Sequence, residues 1–284
     1  MILADGARHN FIKPRQLKQI EGSADSIYFS MIGMNRGHKH FYHFFEYYFQ
    51  ALFYFLHHVY NDSQQLVIVT RDELGAVQKE LYAAIHKRYP RITFMAISSD
   101  QALYCPHAYV WENETVGKKG VFISAAYMAF LNEILLDYYQ TPTLTTLPKR
   151  IYLSRKHTKL RHILNEDELM PHLIRHGFEV VAPEQMSFKE QFSLFHHAEM
   201  IVAIHGAALT NLMFCKPGTN VLELASAGYG SNDFLWMSAV RKLNHDILIG
   251  DQEIKHQHFR LDAESFRERL DRFVLHETVS NSNT

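Results

Sequence analysis

The sequence predicts an α/β protein of two Rossmann-like lobes, the second a doubly wound parallel sheet. Three observations carry the prediction. In the C-terminal half, short apolar segments alternate with helical ones at a repeat of roughly 20–28 residues, the rhythm of βαβ units. One of those segments, Met200–Ile204 (MIVAI), is wholly apolar, as a strand covered on both faces must be. Between the halves, Thr141–Pro148 (TPTLTTLP) carries two prolines and no periodicity, which reads as a linker. The expected lobes are therefore residues 1–147 and 148–284.

In the second lobe, Ile151–Ser154 (IYLS) is the first strand. Asn165 with Glu168 three positions on resembles a capping box, so a helix starts there, with Leu169 and Leu173 on one face and Gly177 as its stop. Phe178–Ala182 is the next strand. Ser187 with Glu190 repeats the cap signal, and Phe188, Phe192 and Phe195 form a stripe at helical spacing. After Met200–Ile204 a short helix ends at Pro217–Gly218. Asn220–Leu224 and Asp246–Ile249 then read as strands flanking a helix near Asp233–Leu243. Ala263–His276 is the last helix, expected to pack back on the N-terminal lobe, and Val279–Thr284 reads as a polar tail. In the first lobe, Ser26–Ile32, Leu66–Thr70 and Arg91–Ile97 are the strands, and His40–Tyr60, Leu74–Arg88 and Val121–Tyr139 the helices.

Composition excludes several classes. The 284 residues are 47% hydrophobic and 21% charged, ordinary for a globular chain. A formal net charge of −1 supplies no field for a polyanion, so nucleic acid is not an expected partner. Two cysteines, Cys105 and Cys215, build no disulfide framework, and a reducing, cytoplasmic location is expected. MILADGARHNFIKPRQ lacks the basic start and apolar core of a secretory signal. The most apolar stretch, His40–Tyr60, is interrupted by His43, Glu46, Gln50, His57 and His58, so no membrane span is expected.

The stretch His205-Gly206-Ala207-Ala208-Leu209-Thr210-Asn211 follows a buried strand and opens a helix. Small residues there let the backbone approach a ligand, and N–H groups at a helix start favour a phosphate. His205 and Asn211 would add side-chain donors. The same residues also suit a tight βα turn with glycine at positive φ. Arg155, Lys156, Lys159 and Arg161 cluster after the first strand of this lobe, at the same sheet edge. Arginine forks match phosphate oxygens, and a solvated basic loop is the plainer alternative. Neither GxGxxG nor GxxxxGK[ST] occurs.

The series Arg150-Ile151-Tyr152-Leu153-Ser154-Arg155, Arg161, Asn165-Glu166, Glu184, Phe188-Lys189-Glu190-Gln191, Ala198, His205–Asn211 and Val221-Leu222-Glu223 resembles glycosyltransferase family 61. Phe41-Tyr42-His43-Phe44-Phe45-Glu46 resembles that family's aromatic–His–aromatic–acidic segment, without the tryptophan that usually follows the histidine. The resemblance implies a GT-B-like pair of lobes with a cleft between them, an inverting reaction, a nucleotide-sugar donor, most often UDP-linked, and a glycan acceptor in capsular or cell-surface polysaccharide synthesis. A lipid-linked acceptor would bring the enzyme to the inner face of the membrane.

Several residues suit that chemistry. No Asp-x-Asp occurs, so no metal or other cofactor is expected; Arg155, Arg161, Gly206 and the helix start at Ala207 would neutralise a leaving diphosphate instead. Glu223, at the end of its strand, would accept hydrogen bonds from ribose hydroxyls, or else cap the next loop. An inverting transfer needs a base for the acceptor proton, and His43 and Glu46, three apart on one helical face, are the candidates. Each is otherwise a hydrogen-bonded core group. His38, His40 and His43 form an HxHxxH run, but only the last two share a face, so zinc is not expected. Two other readings fit the scaffold: a non-catalytic nucleotide- or carbohydrate-binding protein, and a sugar-phosphate transferase.

Overall fold

The computed structural model describes residues 2–3, 17–32, 39–72, 74–111, 123–140, 147–156, 158–228, 231–251 and 257–281. The chain divides into two compact units, Met1–Thr141 and Pro142–Thr284. Most of the linker segment predicted at Thr141–Pro148 lies outside the described residues.

The first unit holds two sheets. Three short strands, β1 (Ile2–Leu3), β2 (Lys18–Glu21) and β6 (Gln101–Tyr104), form one in the order β1-β6-β2. The larger is wholly parallel and comprises β3 (Ser26–Ser30), β4 (Gln65–Arg71), β5 (Ile92–Ile97) and β7 (Ala108–Val110), in the order β5-β4-β3-β7. Leu66–Thr70 within β4 are all buried, because the sheet is covered on both faces. On one side Tyr28, Val67, Val69 and Ile97 meet Ile20 and Leu103 of the small sheet. On the other, Phe29 stacks on Phe55 with ring centroids 4.4 Å apart.

The helix predicted over His40–Tyr60 is three pieces: α1 (Phe41–His43), a π-helical turn over Phe44–Phe49, and α2 (Gln50–His58). In the π turn Phe44, Phe45, Glu46, Tyr48 and Phe49 are all buried. A regular α-turn presents a narrower stripe to the core than such an aromatic run fills. α3 (Ala76–Arg88) and α4 (Ala125–Tyr139) follow. The Tyr127 hydroxyl of α4 donates to the Phe45 carbonyl at 2.9 Å, tying it to the π turn.

The second unit is a five-stranded, all-parallel sheet of β8 (Arg150–Leu153), β9 (Glu179–Val181), β10 (Met200–Ile204), β11 (Asn220–Ser226) and β12 (Asn244–Gly250). Its spatial order is β12-β11-β10-β8-β9. After β8 the chain crosses outward to β9, then returns to place β10 on β8's other side. The crossover direction therefore reverses between β8 and β10, which defines a topological switch point.

Helices cover both faces. α5 (Glu166–Arg175) and α8 (Ala263–Asn281) bury Leu169, Leu173, Phe266, Leu270 and Phe273 against Tyr152, Val202 and Leu222. The apolar face of α8 is thus used within its own unit. The helix also runs on to Asn281, where a polar tail from Val279 was predicted. The other face carries α6 (Phe188–His197), a 3-10 segment over Ala207–Phe214, and α7 (Asp233–Arg241). Phe188 and Phe192 pack edge-on against Phe214 with centroids 5.8 and 5.3 Å away.

Ser187 and Glu190 form the predicted capping box of α6. Asn165 does not cap α5. Its amide instead donates to the Leu261 carbonyl at 2.8 Å and accepts from the Leu261 N–H at 3.2 Å, fastening the segment before α8. The helix stop at Gly177 is as read, with φ 74°.

Candidate functional site

The switch point is framed by the loop after β8 and the turn after β10. The β8 loop is braced by its own hydrogen bonds. The Thr158 hydroxyl lies 2.9 Å from the Arg155 carbonyl and 3.0 Å from that of Leu160, and Arg155 Nε donates to Leu160 O at 3.2 Å. Ser154 Oγ and the Tyr152 hydroxyl both donate to Glu166 Oε1, each at 2.7 Å, anchoring the strand end to α5. Burial, reinforced by the Glu166 carboxylate, pushes the Tyr152 hydroxyl well above its ordinary range, so it remains a donor. Arg161 closes the loop in the left-handed conformation, φ 62°, which costs a non-glycine residue on the order of 1–3 kcal/mol. Its Nη1 reaches the His205 carbonyl at 3.4 Å.

The turn after β10 completes the frame. Gly206 is extended, with φ 167°, so the reading of this turn as a positive-φ glycine is corrected. Glycine is needed here for room. A Cβ at this position would fall onto the Arg155 guanidinium, 2.9 Å from its Cζ. Arg155, Arg161, His205 and Gly206 are thus brought together from two loops, while Lys156 and Lys159 point to solvent. Ala207 and Ala208, half-buried, open the 3-10 segment beside them.

Two residues depart from their predicted placement. Asn211 is fully buried, and its amide donates to Gln191 Oε1 at 3.1 Å and to the Ala208 carbonyl at 3.0 Å. It ties the 3-10 segment to α6 and offers a ligand no donor. Glu223 sits in mid-β11, not at its end, and is buried. One carboxylate oxygen accepts from His205 Nδ1 and the other lies 2.9 Å from His245 Nε2. Neither the ribose role nor the loop cap fits those engagements. Burial pushes the Glu223 carboxyl up, but the hydrogen bonds from both histidines prevail and hold it below its ordinary range. His245 and its partner Ser238, 2.7 Å from Nδ1, escaped sequence reasoning, as did Glu166 as a brace.

His43 and Glu46 lie in the first unit. His43 Nδ1 is 3.1 Å from Glu46 Oε2, the carboxylate buried and the imidazole 41% exposed, so the ring is the partner that solvent can reach. Among the described residues no group of three or more His, Cys, Asp or Glu is placed to share a metal ion; His38 lies outside them. No described helix is long and apolar enough to cross a membrane.

Two guanidinia, a helix start and a buried histidine at the carboxyl edge of a doubly wound sheet can together hold an anionic ligand. Comparison with known proteins gives the family. Residues 34–222 match Glycosyltransferase 61, and the chain belongs to that family. It is 34% identical over 111 residues to the EGF domain-specific O-linked N-acetylglucosamine transferase of Drosophila melanogaster, covering 37% of this chain and 21% of that protein. It is 32% identical over 108 residues to the protein of the same name from Xenopus laevis, covering 36% and 20%. It is 32% identical over 84 residues to the xylan glycosyltransferase MUCI21 of Arabidopsis thaliana, covering 28% and 17%. The matched stretch therefore spans about a fifth of these relatives' length.

Proposed function

We propose that this chain transfers a sugar from a nucleotide-sugar donor to a glycan acceptor, with the donor's diphosphate held at the switch point of the second unit. The observation that carries the proposal is the Arg155 guanidinium lying over Gly206 where β8 and β10 diverge. Arg155 and Arg161 would take the phosphate oxygens in forked hydrogen bonds, and the N–H groups at Ala207 would add partial positive charge. Those groups are fixed before the donor arrives, so the charge that develops on the leaving diphosphate meets a preorganised field. No Asp-x-Asp is available to hold a divalent ion, and the two guanidinia would do that work, making the transfer metal-independent.

The reaction we propose is inverting, in a GT-B-like arrangement, with His43 as acceptor base and Glu46 orienting it. Glu46 is buried and within hydrogen-bond reach of the His43 ring, the pairing that fixes a basic tautomer. UDP is the nucleotide we favour, since two relatives are named as N-acetylglucosamine transferases. A surface or capsular glycan, built at the inner face of the membrane on a lipid-linked acceptor, is the proposed setting.

A thermal-shift panel of nucleotide sugars tests the donor assignment. A ligand at 100 times its Kd adds about 2.7 kcal/mol of stability. A UDP-sugar should raise Tm in the native chain and fail to do so in Gly206→Val, whose larger side chain displaces Arg155. Equal shifts in both proteins would remove the donor from this crevice.

A further inference from the structure

Behind the crevice, three ionisable side chains cross the sheet in a diagonal line. Glu223 pairs in register with Ala203 on β10 and Ile247 on β12. His205 lies two residues beyond Ala203 and His245 two before Ile247, so all three share one sheet face. Their side chains are 6%, 4% and 2% exposed for His205, Glu223 and His245, which is what makes their protonation consequential. α7 covers them: the Phe234 ring centroid is 5.0 Å from that of His205, and Ser238 Oγ meets His245 Nδ1. A buried carboxylate is costly unless both oxygens are satisfied, and here each faces one imidazole nitrogen.

That geometry assigns protons. An ionised carboxylate only accepts, so the nitrogens facing it are N–H groups: Nδ1 of His205 and Nε2 of His245. Two neutral rings would leave a buried net charge of −1 on Glu223. One more proton on His205 turns the pair into a neutral imidazolium–carboxylate couple. With Nδ1 committed to Glu223, that proton sits on Nε2.

We propose that Glu223 is a positioning residue that holds His205 as an imidazolium at the crevice, so that His205 donates a charge-assisted hydrogen bond from Nε2 to the donor's diphosphate. His245 and Ser238 fix the carboxylate's other oxygen and so its orientation. The charged groups around His205 are Glu223 on β11, His245 behind it on β12, Arg161 on its own carbonyl, and Arg155 over Gly206. The arginines oppose the extra proton; Glu223 and an arriving diphosphate favour it. The inference rests on the reading of the crevice as the diphosphate site.

The test uses the full chain and UDP. Ring-nitrogen NMR of His205 at pH 7 with saturating UDP should show both nitrogens protonated in the native protein. In Glu223→Gln, which keeps the shape and removes the charge, it should show one. UDP affinity should fall roughly 4- to 12-fold in that variant, since losing charge assistance forfeits about half the strength of such a bond. If Glu223→Gln does not fold, His205→Asn serves, its amide standing in for Nδ1–H while Nε2 is lost; UDP should then bind weakly. Unchanged affinity in every folded variant overturns the proposal, as does a singly protonated His205 in the native complex. Arg155→Ala separates the two levels. If it too leaves UDP affinity unchanged, the diphosphate assignment itself fails; if it weakens binding while the Glu223 variant does not, only the imidazolium fails.

Discussion

Arg155 and Arg161 share one loop but are held differently, and each carries its own prediction. Arg155 is braced through Nε on Leu160 and lies over Gly206, whereas Arg161 reaches His205 from a left-handed backbone. Replacing either with Ala should weaken UDP binding about 10- to 150-fold, the worth of a charge-assisted contact, with the far-UV spectrum unchanged; isothermal titration reads it. Glu223 predicts a pH dependence of stability. Its folded carboxyl titrates below the ordinary value of 4.5, so its stabilising contribution is complete above that value and is lost as pH falls through the folded one. Urea melts should therefore show native and Glu223→Gln separated by about 1–3 kcal/mol at pH 6, with the gap closing at more acid pH. A gap independent of pH would mean the carboxylate is not charged in the fold. At this scale the arginines and His205–Gly206 were legible in the sequence, because residue type and position after a strand announce them. His245 was not, since its diagonal pairing with Glu223, 22 residues away on the neighbouring strand, leaves no local pattern, and Ser238 on α7 gains its role only through His245.

Elements were legible where period and caps agree. Met200–Ile204 is the strand its apolar run declares, and Ser187 caps α6 through Glu190 as spacing implies. Strands β2, β6 and β7 escaped because each is three or four residues long, too short for alternation to register. Asn165 misled because its amide prefers the backbone of Leu261, a partner far along the chain. The π turn was invisible because an aromatic run specifies burial without specifying winding. Ser187→Ala should cost about 0.5–2 kcal/mol, seen as a fall of a few degrees in Tm. It should also loosen the 3-10 segment, because Gln191 of the same helix holds Asn211. Faster amide exchange at Leu209–Met213 in the variant would register that coupling; unchanged exchange would confine the cap to α6.

On the scale of the molecule, the division of labour proposed for the two units is what mutants can separate. His43 belongs to the first unit and the arginine loop to the second. His43→Ala should therefore lower kcat about 10²- to 10⁴-fold while UDP affinity stays within a factor of a few. Glu46→Gln decides which group is the base. A larger loss there than in His43→Ala would transfer the role to Glu46, and normal turnover in both would leave the π turn a packing element. Activity should also persist in EDTA, because in the proposed donor site Arg155 and Arg161 would do the work of a metal ion; loss on chelation, restored by manganese, would contradict the proposed donor chemistry.

The position of β10 has a kinetic consequence. Arg150 pairs with Met200, fifty residues on, and β10 slots between β8 and β11. No nascent or partly folded chain has both sides of the proposed donor site until that long-range pairing closes, and such closures come late because their loop entropy must be overcome first. A ligand of the crevice then has nothing to grip before the rate-limiting barrier. In stopped-flow experiments UDP should slow unfolding in proportion to occupancy and leave the refolding rate untouched. Acceleration of refolding by UDP would show instead that β8 and β10 meet early, and that the ligand site is part of the folding nucleus.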